Sequence, residues 1–147
     1  MSAEIRELKK EEFPDAEKVW YFYRQQKADP EHDRIFGSFI DGKLVGIARC
    51  KRHPDGMEVD GVFVLEEFRN HGLASGMLRA LIEGCGKETM YMHSTLDLVG
   101  FYRQFGFVPI PENELPRTIR ERMAFCFGDM PACGVSPMVR KGRPVTS

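Results

Sequence analysis

The sequence predicts a mixed α/β domain: a central, mostly antiparallel sheet of six to seven strands flanked by helices. Three observations carry this. Short β-prone runs alternate with longer segments whose apolar residues recur at three- and four-residue steps. Three of the β-prone runs follow one another directly, separated only by turn signals. No apolar run reaches the roughly 20 residues a membrane-spanning helix needs, and 147 residues suit one domain with a core of its own.

The elements follow in order. Ile5 and Leu8 with charged flanks mark a short first strand. Residues 11–26 read as a helix with Phe13, Ala16, Val19, Trp20 and Tyr23 along one face. Asp29-Pro30 opens a loop. Residues 35–40 and 43–50 read as strands joined at Asp41-Gly42, a dipeptide favoured in two-residue hairpins. His53-Pro54-Asp55-Gly56 makes the next turn, and residues 57–65 are the most β-prone stretch. Residues 73–85 form an amphipathic helix ended by Gly84 and Gly86. A strand at 90–93, a helix at 96–105 stopped by Gly106, and a strand at 107–110 closed by Pro111 come next. Residues 116–127 are helical by pattern, with Pro116 near the first turn. Residues 135–140 make a last strand, which Pro137, lacking an N–H, holds to a sheet edge. With no internal repeat or linker, residues 1–147 read as one domain.

A net charge of −1 gives no global field for nucleic acid or an anionic membrane. The first residues lack the basic-then-apolar pattern of a signal peptide, and the expected location is cytoplasmic. Cys50, Cys85, Cys126 and Cys133 form no C-x-x-C pair and the four histidines are scattered, so no zinc site is indicated. The cysteines read as free thiols, with a Cys126–Cys133 bridge left open.

The stretch Phe68 to Gly76, FRNHGLASG, stands where a strand gives way to a helix. A helix start leaves backbone N–H groups without intrahelical partners, and the helix dipole adds partial positive charge there. An anion is the natural occupant. Gly72 removes a β-carbon that would hold a phosphate off the backbone, Arg69 adds a cation, and Ser75 a hydroxyl. R-x-x-G-x-A thus suits a pyrophosphate cradle. The same residues also suit a turn whose glycine only relieves backbone strain. Neither the Walker loop nor the G-x-G-x-x-G fingerprint is present.

Val62-Phe63-Val64, a short turn, then Arg69-Asn70-His71-Gly72-Leu73-Ala74 resembles the acyl-CoA-binding signature of the GNAT superfamily of N-acetyltransferases. Phe101-Tyr102-Arg103-Gln104-Phe105-Gly106-Phe107 resembles its second signature. The resemblance implies the GNAT fold, with the central sheet splayed at a bulge beside the acyl-CoA site. It implies acetyl-CoA as cofactor, with backbone amides of Val62 and Val64, Phe63 between them, pairing with the pantetheine arm. The turn Arg69, Asn70, His71, Gly72, Leu73, Ala74, Ser75 would take the pyrophosphate. It implies transfer of an acetyl group to an amine, with Tyr102 as acid to the leaving sulfur. Glu58 occupies the offset at which some relatives carry a base, and Asp60 lies two residues on. The pair reads equally as base, as anchor for a cationic substrate, or as solvation of an open sheet face; many relatives deprotonate through water instead. Relatives often carry an asparagine seven residues before the tyrosine and an alanine four before it; Thr95 and Leu98 stand there, Thr95 keeping one hydroxyl for the cofactor.

The resemblance places acceptor choice in the first helix, the loop after it and the C-terminal strands. Trp20, Tyr21, Phe22 and Tyr23 exceed what one helix face can bury, so one or two of them are candidates to line a cleft. The basic tail, including Arg117, Arg120, Arg140 and Lys141, reads first as a solvated face. The same resemblance allows a homodimer, and names no nucleic acid or membrane partner. A domain that binds acyl-CoA without catalysis is the alternative.

Overall fold

The computed structural model describes residues 2–23, 25–121 and 134–143. Its strands are β1 (Ala3–Glu7), β2 (Asp33–Ile40), β3 (Lys43–His53), β4 (Gly56–Val64), β5 (Met90–Thr95), β6 (Val108–Pro109) and β7 (Val135–Arg140). They form one seven-stranded sheet in the order β1-β2-β3-β4-β5-β7-β6. The β4–β5 ladder is parallel, whereas β1–β2, β2–β3, β5–β7 and β6–β7 are antiparallel. The helices are α1 (Phe13–Trp20), α2 (Leu73–Cys85) and α3 (Val99–Arg103). This is the mixed, largely antiparallel α/β architecture that the sequence predicts.

The chain packs as two compact units. The first holds residues up to Lys51 together with Val59–Cys85. Its core joins α1, through Phe13, Ala16, Val19 and Trp20, to Leu8, Ile35, Phe39 and Ile47. Helix α2 packs on the other face of these strands: a Cβ on Gly46, the neighbour of Ile47, would lie 3.1 Å from Met77 and 3.2 Å from Val64. The second unit holds Arg52–Glu58 and the chain from Gly86 onward, with Tyr91 and Ile110 packed on Leu115 and Ile119.

Several elements differ from their sequence expectation. The first helix ends at Trp20, not residue 26, after a single 3-10 turn at Lys10–Glu12. Tyr23 and Gln25 both donate backbone N–H bonds to the Trp20 carbonyl, and Gln25 takes a φ of 45°, closing the helix. The helix expected over 96–105 is a 3-10 turn, Leu96–Leu98, followed by the short α3. Strand β7 is not at an edge, since β5 and β6 flank it. Pro137 is tolerated because the two-residue β6 pairs only with Met138 and Val139, so Pro137 stands past the end of that ladder. The helix expected over 116–127 is helical at residues 117–121; the rest, with Cys126 and Cys133, lies outside the described residues. Cys50 and Cys85 are free and buried.

Candidate functional site

In the first unit, β4 delivers the chain to the start of α2. A 3-10 turn at Glu66–Phe68 follows the strand, and Asn70 and Gly72 then take left-handed φ values of 67° and 74°. Asparagine and glycine are the residues that tolerate this region best. The first helical hydrogen bond runs from Gly76 N to Gly72 O at 3.1 Å. The N–H groups of Leu73, Ala74 and Ser75 therefore belong to a first turn that offers them no intrahelical acceptor. A Cβ built on Gly72 meets nothing within 4 Å, so the space beside these amides is open. Asn70 and His71 are exposed, Ala74 and Ser75 half-buried, and Leu73 anchors the helix in the core.

Arg69 is docked onto the end of β4. Its Nε donates to the Val64 carbonyl at 2.9 Å, and its guanidinium lies 5.2 Å from the centre of the Phe63 ring. The Phe63 ring also stacks on Tyr23, 5.2 Å away and nearly coplanar. Phe63 and Arg69 join Val19, Phe22, Phe39 and Leu44 in lining a cleft of about 910 Å³, rimmed by Glu12, Asp15, Lys18, Lys43, Glu66 and Glu67. Of the aromatic run after Val19, Phe22 is the residue that lines this cleft and is 70% exposed, whereas Trp20 is sealed in the core.

Strand β4 is irregular. Gly61 has a φ of 62°, a left-handed residue inside a strand, as at a β-bulge. Its carbonyl accepts the indole N–H of Trp20 at 2.9 Å, and an added Cβ would come within 2.7 Å of that nitrogen. The β4–β5 ladder consists of Met57↔Met90 and Glu58↔Tyr91, both before the bulge. Val62 and Phe63 beyond it are half-buried and Val64 buried.

Asp60, beside the bulge, is not open to a substrate. Arg49, 1% exposed, grips both its carboxylate oxygens at 2.7 Å. The same guanidinium donates to the Lys27 carbonyl at 2.8 Å, to Gln26, and to Asp33 at 3.4 Å, and it lies 4.7 Å from the Trp20 ring. Lys51 adds a contact to Asp33 at 3.2 Å. This network, spread over separations of 11 to 23 residues, carries no local sequence signal.

The second unit carries the remaining candidates. Glu58 is 0% exposed, and its Oε1 lies 2.8 Å from Nε2 of the buried His53. An open sheet face solvated by Glu58 is thereby overturned. The pair is closed across the turn His53-Pro54-Asp55-Gly56, where Asp55 accepts the backbone N–H of Thr118 at 3.0 Å, a bond that holds its carboxyl below the usual range. Tyr102 is 5% exposed on α3, with edge contacts to Phe101 and Phe107. Thr95 ends β5 opposite Val135 and is exposed. Leu98 is 41% exposed. Among the described residues no cluster of histidine, cysteine and carboxylate side chains could hold a metal, and no helix is long and apolar enough to cross a membrane.

The model of the acetyltransferase (GNAT) family matches residues 2–107. No curated protein matches the sequence. Among solved structures, the chain is similar to the N-acetylglutamate synthase of Neisseria gonorrhoeae complexed with coenzyme A and N-acetyl-glutamate. Identity there is 19% and the TM-score 0.72, over 97% of this chain and 36% of that one. It is also similar to the ribosomal-protein-S18-alanine N-acetyltransferase of Escherichia coli, at 15% identity and TM-score 0.68 over 99% and 97% of the two chains. A third is the PaiA N-acetyltransferase of Thermoplasma acidophilum in complex with coenzyme A, at 14% identity and TM-score 0.60 over 96% and 99%. At these identities the likeness is one of fold.

Proposed function

Because the chain belongs to the acetyltransferase (GNAT) family, we propose that it is an N-acetyltransferase, moving an acetyl group from acetyl-CoA to a primary amine of a small molecule or peptide by direct attack while both are bound. The observation that carries this reading is the turn before α2, with two left-handed residues, a docked guanidinium, and open space where a Gly72 side chain would stand. The geometry fits a diphosphate: the amides of Leu73, Ala74 and Ser75 would donate to it, with Arg69 supplying charge. Amides of Val62 and Val64 would pair with the pantetheine arm.

Acetyl-CoA supplies an acyl group activated as a thioester. The chain supplies the proton movements. An ammonium is no nucleophile, so Glu58, held by His53, takes the amine proton. Tyr102 returns a proton to the departing sulfur, which leaves more readily as a thiol.

One observation favours a second reading, a domain that binds acyl-CoA without turnover: both carboxylates of β4 are already engaged, Glu58 by His53 and Asp60 by Arg49. Thiol release from acetyl-CoA, followed across a panel of primary amines, separates the two. The enzyme reading expects turnover with at least one amine. It also expects Tyr102→Phe to lower kcat about a hundredfold while coenzyme A affinity stays within about twofold. Cofactor binding by calorimetry with no thiol release for any amine selects the second reading.

A further inference from the structure

We propose that Trp20 is a positioning residue for the cofactor: by holding the Gly61 carbonyl it turns the Val62 N–H away from α1, toward the face on which α2 begins. The inference rests on the cofactor reading above. The peptide joining Gly61 to Val62 is trans and planar, so its C=O and N–H point in opposite directions. The Gly61 carbonyl points at Trp20, whose Nε1 lies 2.9 Å away. The Val62 N–H therefore points away from Trp20. Trp20 belongs to the α1 core, with Ile35 and Ile47. Helix α2 packs on the opposite side of these strands, where Met77 and Val64 approach Gly46. The Val62 amide thus faces the side that carries Leu73 and the phosphate turn.

In a regular strand a carbonyl is aimed by the neighbouring ladder. Here a buried side chain also holds it, and that side chain is itself fixed in place. Trp20 is 0% exposed, the Arg49 guanidinium covers its ring at 4.7 Å, and Arg49 also clamps Asp60, the residue before the bulge. Glycine at position 61 supplies the φ of 62° and leaves room for the indole, which a Cβ would strike at 2.7 to 3.0 Å. Tryptophan, glycine and arginine together fix one peptide plane before any ligand arrives, which reduces the ordering cost of binding.

The test replaces the indole N–H while keeping its shape, by installing 3-benzothienylalanine at position 20, with Trp20→Phe as a second variant. Calorimetry then measures affinity for coenzyme A and for 3′-phospho-ADP, its pantetheine-free part. Loss of one aimed donor should weaken coenzyme A about tenfold in both variants and 3′-phospho-ADP by less than about twofold. A variant that binds coenzyme A as well as the native protein, or loses affinity for both ligands equally, overturns the proposal. If the native protein binds 3′-phospho-ADP but gains nothing from the pantetheine arm, the inference also falls while the phosphate turn stands. If it binds neither ligand, the cofactor reading itself fails.

Discussion

Two glycines with similar backbone angles do different work. Gly61 and Gly72 have φ values of 62° and 74°, so any other residue at either position pays left-handed strain of about 1–2 kcal/mol. Their surroundings separate them. A methyl group on Gly61 strikes the Trp20 indole, whereas one on Gly72 meets open space. Gly61→Ala adds overpacking to strain and should cost about 2–4 kcal/mol in urea unfolding. Gly72→Ala should cost only the strain, yet weaken coenzyme A binding more than about tenfold, since the new methyl stands where the diphosphate would lie. Equal effects of the two variants on both readouts would remove the distinction. Gly72 is legible in the sequence because Arg69 and Ala74 flank it at a recognisable spacing. Gly61 is not singled out by the same reading, although a lone glycine in a β-prone run is a known bulge signal. What fixes its meaning is Trp20, 41 residues away.

At the scale of elements, local chemistry reads well and long-range chemistry does not. Asp41 and Gly42 both take positive φ, as a two-residue hairpin turn demands, and the reading of that turn from the dipeptide holds. Helix α2 runs over the residues its apolar period predicts. The first helix stops early where Tyr23 and Gln25 turn back onto the Trp20 carbonyl; of its aromatic run Trp20 goes in, and Tyr21 and Phe22 stay out at 65% and 70% exposure. The tie between strands β3 and β4 and the segment 26–33 lies beyond any local pattern. One buried guanidinium, Arg49, joins Asp60, Asp33, Gln26 and the Lys27 carbonyl. Removing one partner from a buried ion pair leaves charge uncompensated and typically costs about 3–5 kcal/mol. Arg49→Met should therefore be among the most damaging single substitutions, and Arg49→Met with Asp60→Asn should recover part of the loss. Urea midpoints that are additive across the pair would show that Asp60 and Arg49 do not act together.

For the whole molecule, near neutrality of charge conceals carboxylates that the fold holds ionised. Glu12 is the clearest. Two-point hydrogen bonding from Arg6, at 2.8 and 2.9 Å, and a bond from the Lys9 backbone N–H draw its pKa down from 4.5 to about 2. Asp29 is lowered by His32, Glu88 by Arg52 and Asp55 by the Thr118 backbone, all at exposed positions where salt weakens the effect. Unfolding returns each group to its ordinary value, so between those limits the unfolded chain binds more protons than the folded one. Stability from Glu12 is therefore complete above about pH 4.5 and is lost as pH falls toward about 2. The measurement is the urea midpoint as a function of pH, compared between the native protein and Arg6→Met. The native midpoint should drop steeply across this window, and the variant, lower at neutral pH, should drop less, so that the two curves converge in acid. Parallel curves would mean that Arg6 does not hold Glu12 ionised.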